Sequence, residues 1–388
     1  MLPPKLRVGT GLSQLRDAFQ AGVEAAKLAT RHLENEPLAL VLVFSTPRYD
    51  LPRLLAGVRA VTGNVLLVGA TGSGEIVRGQ YLGFGGGVGV LAMTSGPYRF
   101  GAASAGQIVG DLATAGQALA RASRERAGPS PHAAALLLTD SMLGDLQQFV
   151  QGVYRVAGPK VAIVGGAAGD EQKFVRSSVF HDGAELEKGA VVLWIGSQLP
   201  LRVVTRHGWE PVGSPQLVTR AEGTEIIELG GRSAAAAYEA QLGQGELPPE
   251  RFWNTSILHP FGLLQNDGTT VIRVARKKNE HGSLTIQGCV PAVGSAVHVM
   301  KGSPESLLSV TGEVARTALE GSEDPAVLLA FSCAARAMIL GERAPEEPAR
   351  LQKAAGEVPT FGFYCCAEFA RTSGVLGTHN ATLTAMAL

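Results

Sequence analysis

The chain has 388 residues, a length that suits two domains with sizeable cores. Hydrophobic residues make up 45%, charged residues 18%, and 34 Lys and Arg balance 34 Asp and Glu, so the basic footprint of a nucleic-acid-binding protein is absent. The opening MLPPKLRVGTGLSQLRDAFQAGVEAAKL lacks the apolar run of a signal peptide, and no later segment reaches the roughly 18 apolar residues of a membrane span, which predicts a cytoplasmic protein without membrane contact.

Residues 1–34 read as an N-terminal helix. Two segments, 38–76 and 133–172, then follow one plan: an apolar strand, a polar break, an amphipathic helix closed by Gly63 or Gly158, and a second apolar strand ending in Val-Gly. GVRAVTG in the first matches GVYRVAG in the second. The plan recurs more faintly from LLAFSCAAR to CCAEFA, with Gly356 closing the helix. Each copy places an acid six residues after a strand glycine: Glu75 after Gly69, Glu171 after Gly165 and Glu368 after Gly362. Such β-α-β units imply parallel strand pairs covered by helices, and the Gly-rich strands that follow them make the sheets mixed. The expected fold class is therefore α/β, two domains of repeated β-α-β units with mixed sheets flanked by helices.

Between the second and third copies, LRVVTRHGWEPVG and PQLVTRAEGTEIIEL read as antiparallel strands turning at Glu222-Gly223 and leading into a helix. The stretch 241–251, QLGQGELPPER, reads as a linker. Ser303 and Pro304 open a helix expected to run to about Glu320.

The VGATGSGE turn has neither the lysine of a phosphate loop nor a helix behind it, which argues against a nucleotide site. In parallel α/β sheets, ligands sit beyond the carboxyl ends of the strands. Those ends carry Ser45, Thr46 and Arg48; Asp140; and Ser332 with Cys333. Ser45, Asp140 and Ser332 serve equally well as caps of the following helices. Arg336, three residues after Cys333, suits either a ligand carboxylate or an internal ion pair with Glu342 or Glu368, and Asp170 and Glu368 suit an ammonium. Cysteines 289, 333, 365 and 366 show no metal or disulfide spacing, and the pair Cys365-Cys366 reads as two small hydrophobes on opposite faces of a strand. No H-x-x-x-H occurs among the eight histidines, so no metal is expected. Cys333 as an enzymatic nucleophile needs a base, for which His379 is the candidate.

VLVFSTPRYD, VLLVGATGSGEI, VAIVGGAAGDE and HGWEPVGSPQLVTRAEGTEIIELGGRSA resemble the FIST N-terminal domain, and GSPESLL, AFSCAARAMILGER, TFGFYCCAEFA and THNATLTAMAL the FIST C-terminal domain. The resemblance implies a FIST N-terminal domain over 35–232 and a FIST C-terminal domain over 233–388. It further implies a stand-alone bacterial sensory protein, not an enzyme, that binds a small molecule such as an amino acid. Such a protein signals in trans to a histidine kinase or another signalling protein. Carried over, Asp170 matches the family's G-G-x-A-x-D turn, Cys333 and Arg336 its S-C-x-x-R, and Glu368 and Asn380 its last motifs, which makes these, with Ser45, Thr46, Arg48, Glu75, Asp140 and Ser332, the candidate ligand-binding residues. Ala367 stands where the family has glycine. No cofactor is predicted; the alternative reading is a haem-based nitric-oxide sensor.

Overall fold

The computed structural model describes residues 5–33, 36–265, 268–322, 324–371 and 377–388. Three units of like design make up most of the chain. The first comprises β1 (Val8–Ser13), α1 (Ala18–Thr30), β2 (Leu40–Ser45), α2 (Leu51–Thr62), β3 (Leu67–Thr71), the hairpin β4 (Glu75–Val77) and β5 (Gln80–Tyr81), and β6 (Val88–Met93). The second repeats this order with β7 (Tyr98–Ala105), α3 (Leu112–Ala127), β8 (His132–Thr139), α4 (Leu146–Ala157), β9 (Ala162–Ala167), the hairpin β10 (Ser178–His181) and β11 (Ala184–Glu187), and β12 (Ala190–Ser197).

The third unit opens with β13 (Val203–Arg206) and is then interrupted by an inserted domain. That domain contains β14 (Glu210–Glu222), β15 (Glu225–Leu229), β16 (Arg232–Ser233), α5 (Ala234–Gln241), α6 (Pro249–Ser256), β17 (Phe261–Leu264), β18 (Thr270–Arg273), β19 (Ala275–Lys278), β20 (Leu284–Ile286) and β21 (Ala296–Lys301). The unit resumes with α7 (Pro304–Ser309), α8 (Thr311–Leu319), β22 (Leu328–Cys333), α9 (Ala334–Leu340), α10 (Glu346–Ala355), β23 (Thr360–Cys365), the strands β24 (Ala367–Arg371) and β25 (Thr378–His379), and β26 (Leu383–Ala387).

Each unit builds a sheet in the order first, last, second and third strand, and a hairpin from a different unit completes it. The orders are β1-β6-β2-β3 with β10-β11, β7-β12-β8-β9 with β24-β25, and β13-β26-β22-β23 with β4-β5. The exchange is cyclic, so no unit closes its own sheet. Only β2/β3, β8/β9 and β22/β23 pair in parallel within these sheets. The inner faces of all three sheets meet in one central core, which holds Leu42, Phe44, Leu136, Val164, Phe331 and Phe361. The helices cover the outer faces.

Three backbone hydrogen bonds repeat the cycle where the units meet. Ser73 N–H donates to the Tyr364 carbonyl (2.8 Å), Gly169 N–H to that of Thr71 (2.9 Å) and Cys366 N–H to that of Ala167 (2.9 Å). The strand glycines have a steric reason. A Cβ at Gly69, Gly165 or Gly362 would stand 1.9, 2.0 or 1.7 Å from the carbonyl oxygen of Val43, Leu137 or Ala330, three residues in matching register. The glycines shared by GVRAVTG and GVYRVAG bring helices together. A Cβ on Gly57 would lie 2.1 Å from Phe19 O of α1, and one on Gly152 2.0 Å from Ala113 O of α3.

Several expectations shift. Segment 1–34 is not helix alone, because V-G-T-G-L forms the edge strand β1, its glycines packed against the α1 backbone. Stretch 241–251 links no domains; it connects α5 to α6 inside the inserted domain, with Leu247 buried and its N–H bonded to Glu239 (2.9 Å). The turn at Glu222-Gly223 joins β14 to β15 as read. The helix after Ser303 breaks at Val310 into α7 and α8.

Candidate functional site

Register fixes which residues are equivalent at the strand ends. Thr46, Asp140 and Cys333 occupy one position, and their N–H groups donate to Gly87 O (2.9 Å), Gly189 O (2.8 Å) and Thr382 O (3.0 Å). Ser45 therefore matches Thr139 and Ser332 rather than Asp140. None of these residues caps a helix by its side chain. That role belongs to Asp50 for α2 and Asp145 for α4, and α9 starts without a side-chain cap.

Glu75 and Glu368 are equivalent, each paired with the residue after a strand glycine, Phe363 and Gly166. In the second unit that place is held by Val179, opposite Ala70. Glu171 is not the third equivalent, because the second unit spans 168–177 between strands where the first spans only 72–74. In that longer loop Asp170 accepts from the N–H groups of Phe174 (2.9 Å), Val175 (2.5 Å) and Arg176 (3.0 Å), which stabilises backbone with positive φ at Glu171, Gln172 and Phe174. Asp170 thus organises its loop. Asp140 likewise accepts from Met142 N–H (2.9 Å), Ser177 Oγ (2.6 Å) and Lys188 N–H (2.8 Å).

Arg336 is committed to the protein. Fully buried, it donates from Nε (2.9 Å) and Nη2 (2.5 Å) to Glu347 Oε2, from Nη1 to His207 O (2.8 Å) and from Nη2 to Leu307 O (2.8 Å). Ser332 Oγ donates to Glu347 Oε1 (2.5 Å). The ion-pair partner is Glu347, neither Glu342 nor Glu368. No local spacing advertises it, since Arg336 lies on α9 and Glu347 on α10.

In the first unit, Thr46 Oγ1 donates to Glu171 Oε1 (2.6 Å), and exposed Arg48 donates to Gly86 O (3.2 Å). Glu75 lies fully buried beside them, and neither of its oxygens makes a hydrogen bond. Burial pushes its carboxyl well above the ordinary range, and the charge of Glu171 adds to this. The Ser45 hydroxyl is also buried without a partner.

The third unit satisfies its acid. Glu368 Oε2 accepts from Thr382 N–H (3.1 Å) and hydroxyl (2.8 Å), and Oε1 accepts from the Cys365 thiol (3.3 Å). Burial pushes Glu368 up to about 7, while Thr382 and the thiols of Cys365 and Cys333 pull the other way. Burial, then the charge of Glu368, keeps Cys333 and Cys365 well above the ordinary thiol range, so both stand as neutral donors. Cys365 belongs to the central core and Cys366 to the helix-covered one, as expected for opposite faces of a strand. His379 does not serve Cys333; its Nε2 donates to Ala370 O (2.8 Å).

The inserted domain roofs this third-unit site. Gln287 Nε2 donates to Cys366 O and Sγ (3.3 Å each), and Arg273 reaches Thr378 O (2.9 Å). Trp253 meets Phe174 of the 168–177 loop edge-on at 6.5 Å, with Arg276 over the same ring. Asn380 sits beneath, 1% exposed, with neither its amide nitrogen nor its oxygen hydrogen-bonded. Of the sequence-derived residues, Cys333, Glu368 and Asn380 come together here. Ser332 and Arg336 form a separate outer pair, Thr46, Arg48 and Glu75 belong to the first unit, and Asp140 and Asp170 brace loops. Gln287 and Arg273 were not singled out from the sequence, because nothing local ties the inserted domain to this unit. Among the described residues, no group of His, Cys, Asp and Glu is arranged to hold a metal.

The FIST N domain matches residues 39–232 and the FIST C domain residues 234–371. The chain belongs to the FIST family. It is 26% identical over 390 residues to an uncharacterized protein of Mycobacterium bovis, covering 97% of each chain. A second uncharacterized relative, from Mycobacterium tuberculosis, is 26% identical over 386 residues, covering 97% of this chain and 98% of that one. Among solved structures, a cyanuric acid hydrolase covers 99% of each chain at 10% identity and a TM-score of 0.36, a likeness too slight to bear on this protein. FIST domains are associated with sensing and signal transduction, and the FIST N/FIST C boundary falls inside the inserted domain, just before α5. No helix among the described residues is long and apolar enough to cross a membrane.

Proposed function

We propose that this FIST protein is a cytoplasmic sensor, not an enzyme, that binds a small molecule between the third unit and the inserted domain and signals in trans to a partner protein. The observation that carries the reading is the Asn380 amide. A buried amide without partners costs free energy that a ligand with a matching donor and acceptor recovers. The position also suits signalling, since a ligand there touches both the third unit and the inserted domain, which share an apolar contact through Ile272, Met300, Ala381 and Leu383, and biases how they sit together. The neutral, buried thiols support binding over thiol catalysis.

Haem has less to draw on: among the described residues one histidine nitrogen is buried without a partner, Nδ1 of the half-buried His298 on β21. His379, His259 and His181 each hold a ring nitrogen on Ala370 O, Met300 O or Ser104 Oγ, and His207 accepts from Trp209 N–H. His32, exposed, lines an open surface groove of about 450 Å³ with Arg31 and Arg78, which is not the enclosed apolar slot a macrocycle needs.

The test is a thermal-shift screen of metabolites on the full chain, with mass spectrometry of molecules that copurify with it. A cognate ligand raises the midpoint by mass action, and Asn380→Ala loses the rise. A hit that Asn380→Ala binds unchanged refutes the site.

A further inference from the structure

The roof of the site contains a guanidinium without a counter-ion. Arg273, the last residue of β18, is 1% exposed. Its Nε donates to Cys289 O and its Nη1 to Ile272 O and Thr378 O, each at 2.9 Å, while Nη2 has no partner. No carboxylate of the described residues pairs with it. The groups that favour its charge are the Cys289 thiol first and then Asp145, which acts through space, its own Oδ1 being held by Gln147 N–H (3.0 Å) at the start of α4. Burial accordingly works against the charge of Arg273.

Three more orphaned polar atoms surround this place. Thr378 Oγ1 and both amide atoms of Asn380 are buried without hydrogen bonds. Thr378 opens β25 and Asn380 lies in the bend just after it. Gly288 marks where they converge, since a Cβ there would lie 3.9 Å from Asn380 Oδ1 and 3.9 Å from Thr378 Cγ2. A guanidinium edge, a hydroxyl and an amide form a donor set for an oxyanion, and a buried arginine without an anion is costly.

We propose that Arg273, Thr378 and Asn380 form an oxyanion site, so that the ligand of this protein presents a carboxylate or a phosphate to the inserted domain. The inference rests on the sensor reading given above and names the chemistry of its ligand. The anion supplies the counter-charge that Arg273 lacks and ties β18 to β25.

The experiment is thermal unfolding of the full chain at constant ionic strength in chloride, titrated separately with sodium formate, sodium acetate, sodium phosphate and the neutral isostere acetamide. The expected result is a saturable rise with a carboxylate or with phosphate, the responding arm naming the source, and none with acetamide. Asn380→Asp, nearly isosteric but anionic, is expected to weaken the response tenfold or more, and Arg273→Met to abolish it where that variant folds. No anion exceeding chloride, or Asn380→Asp titrating like wild type, overturns the proposal. A rise with acetamide alone overturns the oxyanion while leaving the sensor site standing; no rise in any arm, together with no copurifying ligand, removes both.

Discussion

Glu75 and Glu368 stand at the same place in two units, yet Glu368 accepts a backbone N–H, a hydroxyl and a thiol while Glu75 accepts nothing. The difference lies in the residues opposite. Where the third unit has Thr382 and Cys365, the first has Gly87 and Gly72, which bring no side-chain donor. In the second unit, Val179 removes the acid altogether. The copies have diverged at these strand ends while keeping the backbone cycle intact.

The Glu368 carboxyl makes stability depend on pH in a definite sense. Its value is raised from 4.5 to about 7 on folding, so the folded chain holds a proton that the unfolded chain has lost. Its contribution is complete below about 4.5 and disappears as pH rises through 7, a change of about 3 kcal/mol at 1.36 kcal/mol per unit. Glu368→Gln, neutral throughout, should gain on wild type in urea midpoint between pH 5 and 8, with little difference at pH 4.5. Equal effects at both ends would show that the proton is not involved.

His379 and His207 act in the opposite sense. Burial lowers both from 6.5 to about 4, so the unfolded chain takes up protons that the folded one refuses. The stability they contribute is complete above about 6.5 and is lost as pH falls to 4. His379→Gln keeps a donor for Ala370 O and should lessen the acid-side loss by about 3 kcal/mol, from the same conversion per unit of pKa. Denaturant melts at pH 4.5 and 7.5 decide this; an unchanged difference between the two pH values refutes it.

The buried pair Arg336–Glu347 predicts a double-mutant signature. Arg336→Met leaves Glu347 charged and enclosed, at a cost of about 3–5 kcal/mol. The double variant Arg336→Met/Glu347→Leu removes the stranded charge and should regain most of that loss. Guanidinium unfolding of wild type, both single variants and the double variant measures the coupling. Additive losses would mean that the pair is not a unit.

How far the sequence disclosed this architecture follows from the range of each interaction. The β-α-β units, their closing glycines and the strand ends were readable because strand, helix and turn signals are local. The cyclic exchange of hairpins was not, since nothing in Glu75–Tyr81 indicates that it pairs with Phe361–Phe363, far along the chain. The equal spacing of Glu171 misled for a related reason, because counting residues ignores the longer 168–177 loop that register reveals. The site suffered most. Cys333, Glu368 and Asn380 lie near one another in the third unit's text, but Arg273 and Gln287 come from an inserted domain to meet Thr378 and Cys366.

The strand glycines give the most direct test of the threefold design. Gly362 is fully enclosed between strands, where a Cβ would overlap Ala330 O of the parallel neighbour, and the equivalents at Gly69 and Gly165 face Val43 O and Leu137 O in the same way. Backbone cannot yield here without breaking the β22/β23 ladder, which carries Cys333 and Cys365 on its last rung. Gly362→Ala should therefore destabilise by more than about 3 kcal/mol, the range of severe overpacking. Gly356→Ala tests a different effect, because no atom lies within 4 Å of its Cβ position and only its φ of +62° opposes the change. A cost of about 1–2 kcal/mol is expected there, the penalty of left-handed backbone. Chemical denaturation of both variants, with the soluble yield of Gly362→Ala as a second readout, separates the two mechanisms; comparable small losses would refute the close packing of these strands.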